Sequence, residues 1–445
     1  MLTTSLTDYF FDPVLRAPTI GCMLMCFSAG LIGVIVFLRK QSLIGEALSH
    51  AAYPGVILGV IIAASVESIS SGWLQMMIMS GAFVTSMLGM AVIMILIRRF
   101  RVRQDSALCF VLSAFFGIGL TLASHVQFAF SSLYNQVQVY LYGQAATMTD
   151  IHIELYALLA LALVLVVSFL FKEILTITFD QDYARSLGIN TRPIDILFFV
   201  LTVFAIVIGI RSVGVVLMSA MLIAPAAAAR QFTNRLSIMF LLAGLFGLCS
   251  GYLGNVLSVE VSHWLFLAYP GTRLVLPTGP MIVMVAFVIC MGALLFAPER
   301  GMALRTARAV RFRYRCMCEN VLKAIWRKDP EGTVSLDDIE LYQSAPRWYL
   351  WIVLHRLVYN GWIEKLGGGA YRLSHEGKLW ATQIVRLHRL WEVYLADYLG
   401  FGSERVHKSA EEMEHILTPE LEKALTVLLK NPVRDPHKQP IPPGE

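Results

Sequence analysis

The chain carries two patterns of hydrophobic and polar residues, and the change between them falls near Pro298. Crossing about 30 Å of hydrocarbon takes roughly 20 apolar residues. Runs of that kind lie near 19–38, 43–64, 73–97, 107–124, 151–171, 194–210, 212–229, 237–257 and 280–297. The seventh run is short and holds Pro225, so the pattern predicts eight or nine spans. FAFSSLYNQVQVYLY (128–142) is broken by polar residues and reads as a re-entrant or interfacial piece. After Pro298 the apolar runs shorten to amphipathic length. One helix is expected at 316–328, a second at 335–343 with Ser335 as N-cap, and a third within 344–363, entered through Pro346. IEKLGGGAYRLSHEGK (363–378) then reads as a hairpin with a glycine-rich tip. Helix–turn–helix followed by a wing is a DNA-reading architecture and equally a common protein-interaction module.

Composition sharpens the division. The chain is 57% hydrophobic and 15% charged, with a mean hydropathy of +0.64, where a soluble protein carries about 25% charged residues. Residues 1–298 hold 14 Lys/Arg and 12 Asp/Glu, and the remainder holds 22 and 19. The net charge of +5 therefore divides as +2 and +3, which by itself implies no strong nucleic-acid field. The excess of Lys/Arg on one side sets orientation. With RRFRVR (98–103) in the cytoplasm, eleven basic residues of the membrane half fall on that side, leaving Arg16, Arg211 and Arg273 outside. The tail then emerges into the cytoplasm behind Arg300, Arg305, Arg308, Arg311, Arg313 and Arg315. The seven cysteines form no paired zinc pattern, Cys316-x-Cys318 being the only close pair. No basic n-region with a cleavage site opens the chain, so no signal peptide is expected. No nucleophile–base arrangement is found, and an enzyme is not expected. The pattern G-x-x-x-x-G-K-[ST] does not occur, so ATP-driven transport would need a separate ATPase subunit.

Within SLIGEALSHAAYPG (42–55), Glu46 and His50 stand i,i+4 and share a helix face. Charge inside lipid is costly and reads as functional, and carboxylate plus imidazole suits a divalent transition metal. The competing reading is that the two groups satisfy each other near the interface. Pro54-Gly55 is expected to break the helix and free backbone carbonyls. SLIGEALSHAAYPGVILG, FDQDYARSLGI (179–189), SVGVVLMSAMLIAPAAAARQFTNRL (212–236) and LPTGPMIVMVAFVICMGALLFAPERG (276–301) resemble the permease subunits of ABC importers for manganese, zinc and iron. The resemblance runs in order across nearly all of residues 15–300. It implies a bacterial inner-membrane permease paired with a second permease subunit, identical or not. It further implies a cytoplasmic ABC ATPase and an extracytoplasmic metal-binding protein. It places Glu46 and His50 in the translocation path, with Glu where the family more often has Asp. It makes 223–236 the turn that docks on the ATPase, with Pro225, Ala228, Arg230 and Arg235 as candidates. A small-residue packing helix is the other reading of that stretch.

In VHKSAEEMEHILTPE (406–420), helical spacing projects His407, Glu411, Glu414 and His415 within about a 100° arc. His388 and Glu392 form another i,i+4 pair on the amphipathic RLHRLWEVYLADYLG (386–400). These are ligand sets for a divalent metal, or else a solvated face of charge pairs. With the wing and DPHKQPIP (435–442), these helices resemble the DtxR/MntR family of metal-dependent repressors, from about residue 316 to 445. By that resemblance Glu411, Glu414 and His415 are a regulatory metal cluster, and His388, Glu392 and His407 a second or shared site. The oxygen and nitrogen donors favour Mn(II) or Fe(II), with Zn(II) also accommodated. Where the family's first helix gives a further ligand, this chain has Asn320 and Lys323, with Glu319 as the substitute.

The expected fold is mainly α. A polytopic transmembrane helical bundle (1–298) is followed by a basic juxtamembrane linker (299–315), a winged helix (316–380) and a metal-binding and dimerisation region (381–445). Arg347, Arg356, Lys365 and Arg372 are the candidates for contacting promoter DNA, although Trp348, Tyr349 and Trp351 make the recognition helix more aromatic than a base-reading surface usually is. The arginines at 300–315 are read either as a place where the tail is cut free or as an anchor on anionic lipid. The function expected is a metal-importer permease fused to a metal-responsive regulator. The alternatives are a tail that gates transport without touching DNA, or a released repressor as the main role.

Overall fold

The computed structural model describes residues 7–64, 71–129, 131–269, 275–329, 332–343, 345–402, 413, 415 and 419–443. The chain divides into two compact units, Met1–Leu304 and Arg305–Glu445.

The first unit is all helix. Its elements are α1 (Asp8–Phe11), α2 (Pro13–Leu38), α3 (Ile44–Ala64), α4 (Ser71–Arg98), α5 (Gln104–Ala129), α6 (Ser131–Tyr142), α7 (Asp150–Phe169), α8 (Phe171–Phe179), α9 (Gln181–Ser186), α10 (Thr191–Val213), α11 (Met218–Phe232), α12 (Leu236–Ala268) and α13 (Thr278–Phe296). Among the described residues, eight helices (α2, α3, α4, α5, α7, α10, α12 and α13) are long and apolar enough to cross a membrane. The seventh apolar run becomes α11, with 15 residues. At 1.5 Å per residue it reaches only about 22 Å, short of the hydrocarbon thickness. The segment 128–142 is taken up by the end of α5 and by α6, both helical.

Local chemistry sets the boundaries. Asp12 caps α2 by accepting from the Val14 and Leu15 amides, and Pro13 occupies the first helical position, where no amide is needed. Gly214, with φ 94°, ends α10 in a conformation that a side chain disfavours. α2 packs against α7, α11 and α12, and α3 against α4 and α5. A Cβ at Gly33 would collide with the Leu222 carbonyl, so α2 lies directly on the backbone of α11. α3 does not break at Pro54-Gly55 as expected; Pro54 lies inside a continuous helix. Pro54 has no amide hydrogen, which leaves the carbonyl of His50, four residues back, without its ordinary donor. The Ser86 hydroxyl of α4 donates to the Leu48 carbonyl of α3 at 3.2 Å, and that of Thr85 to the Gly81 carbonyl of its own helix at 3.1 Å.

The second unit is built from α14 (Met302–Lys328), β1 (Val334–Ser335), α15 (Leu336–Tyr342), α16 (Arg347–Tyr359), β2 (Ile363–Lys365), β3 (Ala370–Leu373), α17 (His375–Asp397) and α18 (Pro419–Leu428). The three short strands form an antiparallel sheet in the order β1-β3-β2. Between β2 and β3, Gly368 and Gly369 take φ of 81° and 79°, the left-handed backbone that this turn requires. Ser335 and Asp338 cap α15 reciprocally. The core gathers Val321, Leu322 and Ile325 of α14 with Leu350, Leu354 and Leu357 of α16 and Leu373 of β3. Helix, helix–turn–helix and wing are thus present as expected. The first helix differs: it starts at Met302, so the supposed linker is largely helical.

Candidate metal-binding sites

In the membrane unit, α3 holds Glu46 half-buried and His50 almost wholly buried at 8% exposure. The His50 ring meets Phe116 of α5 edge-on, with centroids 4.5 Å apart. Its Nδ1 is buried with no hydrogen-bond partner among the described residues. An imidazole nitrogen left unpaired in an apolar bundle is costly, and an arriving cation would satisfy it. Glu46 stands one turn before it on the same face.

The ATPase-docking candidates separate on burial. Pro225 and Ala228 face inward among the buried residues of α11, which fits the packing reading of that helix. Arg230 is half-buried and donates to the Thr233 carbonyl, while Asn234 and Arg235 are exposed. The outer surface of this turn is therefore carried by Phe232, Asn234 and Arg235, with Arg230 at its edge.

In the second unit, the residues predicted to bind metal appear in two places. His388 and Glu392 on α17 are buried to 1% and 2% side-chain exposure, with His388 Nε2 3.2 Å from Glu392 Oε1. They line a cavity of about 460 Å³ together with Trp326, Arg389, Asp435 and His437. His437 Nε2 lies 4.0 Å from the same Glu392 oxygen. Asp435 faces Arg389 at 3.6 Å and so balances that cation. In the sequence, DPHKQPIP stands out only as a pattern. The signal was His437 itself, but no periodicity ties a loop residue to a helix face.

The other place joins α14 to His415. His415 Nδ1 donates to Glu319 Oε2 at 2.6 Å, and Arg315 Nε donates to Glu319 Oε1 at 2.7 Å. Asn320 Oδ1, beside Glu319, is a buried acceptor without a donor among the described residues. A carboxylate and an imidazole in contact are two donors that suit a divalent cation. His407, Glu411 and Glu414 lie outside the described residues. Among the described residues no three His, Cys, Asp or Glu side chains gather as a ready metal centre. Burial pushes the Cys318 thiol up to about 11, which keeps it protonated at neutral pH and unsuited as a thiolate ligand.

The four DNA candidates are differently engaged. Arg347 pairs with both Asp337 and Glu340 at 2.7 Å, and Arg372 with Glu364 at 2.6 Å. Arg356 lies over the Tyr359 ring, 5.5 Å from its centroid, and Lys365 is exposed. On α16, Trp348, Trp351 and Tyr359 are 66%, 55% and 82% exposed.

Comparison with known proteins places this geometry among relatives. The sequence profile of the ABC 3 transport family matches residues 11–297, and that of the iron dependent repressor, metal binding and dimerisation domain matches residues 374–443. A probable metal transport system membrane protein of Chlamydia pneumoniae is 37% identical over 448 residues, covering 98% of each chain. The manganese transport system membrane protein MntC of Bacillus subtilis is 33% identical over 377 residues, covering 84% of this chain and 82% of that one. Among solved structures, PsaBC from Streptococcus pneumoniae in complex with Fab matches with a TM-score of 0.56 at 25% identity, covering 67% of this chain and 98% of that one.

Proposed function

The chain belongs to the ABC 3 transport family, and from that premise we propose that it admits Mn(II) or Fe(II) through its membrane half and senses the same ion with its tail. It is a multi-pass metal-transport permease fused to a DtxR-like regulator. His50 carries the transport reading, because its unpaired buried nitrogen on α3 is the group a dehydrated cation would seek. Glu46 neutralises part of the ion's charge one turn away.

The chain works as one permease of a pair in a bacterial inner membrane, with the tail in the cytoplasm. A separate ATPase docks on residues 230–235, and an extracytoplasmic protein delivers the ion. The charge pattern supports this: eleven Lys/Arg of the membrane half fall on the side assigned to the tail.

In the tail, Glu319 and His415 hold one ion together with Glu411 and Glu414, and His388 and Glu392 hold another with His407. Bound metal supplies a rigid cross-link between helices. α14 positions Glu319, and α17 keeps His388 and Glu392 buried at the wall of the cavity, where their mutual contact maintains the site's shape. DNA contact follows once Arg347 and Arg372 exchange their surface carboxylates for phosphate. Exposed ion pairs of this kind are worth about 0–1 kcal/mol, so the exchange is cheap.

The same observation favours a second reading. Arginines already paired, beside exposed tryptophans, also suit a tail that docks on protein and gates transport. A gel-shift of the tail on its own operon's promoter, with Mn(II) or Fe(II) and with chelator, separates the two. Retardation that requires metal supports the repressor. Retardation indifferent to metal on every promoter fragment leaves the gate. An immunoblot with antibodies to each half shows whether the tail exists as a free fragment.

A further inference from the structure

We propose that the first half of α14, residues 302–315, is a binding surface for the headgroups of anionic phospholipids. Every residue from Met302 to Arg313 is exposed. The stretch has no acidic residue between Glu299 and Glu319 and carries Arg305, Arg308, Arg311, Arg313 and Arg315. Arg315 pairs with Glu319. Arg305, Arg308 and Arg311 follow at i,i+3 steps on one face, and like charges at that spacing repel. This exposed half of α14 is not steadied by core packing, which its second half supplies for itself. A surface that supplies negative charge along that face would stabilise it.

The residues interleaved with the arginines point to the kind of surface. At 100° per residue, Leu304 and Phe312 fall within the same arc of about 120° as Arg305, Arg308 and Arg311. Both are 44% exposed. A nucleic-acid duplex offers phosphates along its backbone but takes up leucine and phenylalanine chiefly by unstacking base steps, at a cost. A bilayer surface offers both to one face, phosphate oxygens for the guanidinium forks and the acyl boundary for the leucine and the phenylalanine. Connectivity favours the bilayer further, since α13 ends at Phe296 and only a short segment separates it from Met302. The inference stands independently of which metal is carried and of whether the tail binds DNA.

The full chain is reconstituted in nanodiscs of phosphatidylcholine alone or mixed with phosphatidylglycerol, and hydrogen exchange of residues 302–315 is followed. Exchange is expected to slow by about tenfold or more in the anionic discs and to recover speed with added salt. Arg305→Gln, Arg308→Gln and Arg311→Gln together are expected to abolish the protection, while amides of α12 keep theirs as a check on folding. Equal exchange in both lipids overturns the proposal. So does protection that appears in neutral discs only on adding duplex DNA, which would make the surface a nucleic-acid contact.

Discussion

Asn234 Oδ1 accepts a hydrogen bond from Arg300 Nη2 at 2.5 Å, while Asn234 Nδ2 donates to Glu299 Oε2 at 3.2 Å. One amide thus clasps the loop before α12 to the segment that leads into α14. The loop is the one proposed to meet the ATPase, and the clasp ties it to the segment that follows α13. In reconstituted vesicles, metal on the cytoplasmic face is expected to slow uptake by the wild type. Asn234→Ala is expected to lose most of that response, read as the ratio of uptake with and without internal metal. An unchanged response would remove the clasp from any signalling role.

His50→Ala and Glu46→Ala are each expected to lower manganese uptake by about tenfold or more, as loss of a metal-coordinating group does. Glu46→Asp retains the carboxylate and is expected to keep much of the activity. Uptake of radiolabelled manganese, normalised to protein inserted, reads the effect. Wild-type uptake in the Glu46/His50 double variant would end the assignment.

Glu319→Gln keeps the shape of the side chain but removes its charge beside His415. Metal affinity of the full chain is expected to fall about 10- to 100-fold by calorimetry. Glu414→Ala is expected to do the same. Glu420→Ala, in the first turn of α18, is the control and is expected to bind as the wild type. Equal affinities for all four proteins would refute the site.

Asp338 gives a pH signature. Hydrogen bonds from Lys328 and from Ser335 hold its carboxyl below the ordinary carboxylate range. A folded pKa below the unfolded value of about 3.9 adds stability above that pH, which is lost as pH falls through the folded value. The tail of Asp338→Asn is therefore expected to melt lower than wild type at neutral pH, with the difference closing in acid. A gap that stays constant down to strongly acid pH would show that the charge plays no part.

The membrane spans were legible because each is an unbroken apolar run, and α11 was not because Pro225 and the four alanines 226–229 give similar hydropathy to a span and to a short packing helix. The extension of α14 back to Met302 was hidden by its arginines, which carry no apolar period although their intrinsic helix propensity is high. Pro54 reads as a break in the sequence, yet a proline inside a membrane helix is tolerated when neighbouring helices pack around it, as α4 and α5 do on α3. His388 with Glu392 was legible from i,i+4 spacing alone. The approach of His437 was not, since it depends on how the loop after α18 folds back.

α14 is one uninterrupted helix from Met302 to Lys328, and this bears on stoichiometry. A flexible tether would let two tails search for each other at a local concentration set by chain length. A continuous helical connection shortens the freely jointed length available to that search. If two such permeases pair, their two regulators come as a matched set, one per transport subunit, and their association becomes independent of how much protein the cell makes. Cutting the helix would return that association to ordinary mass action, so a freed tail would act only above a threshold abundance, whereas the attached pair responds at any expression level.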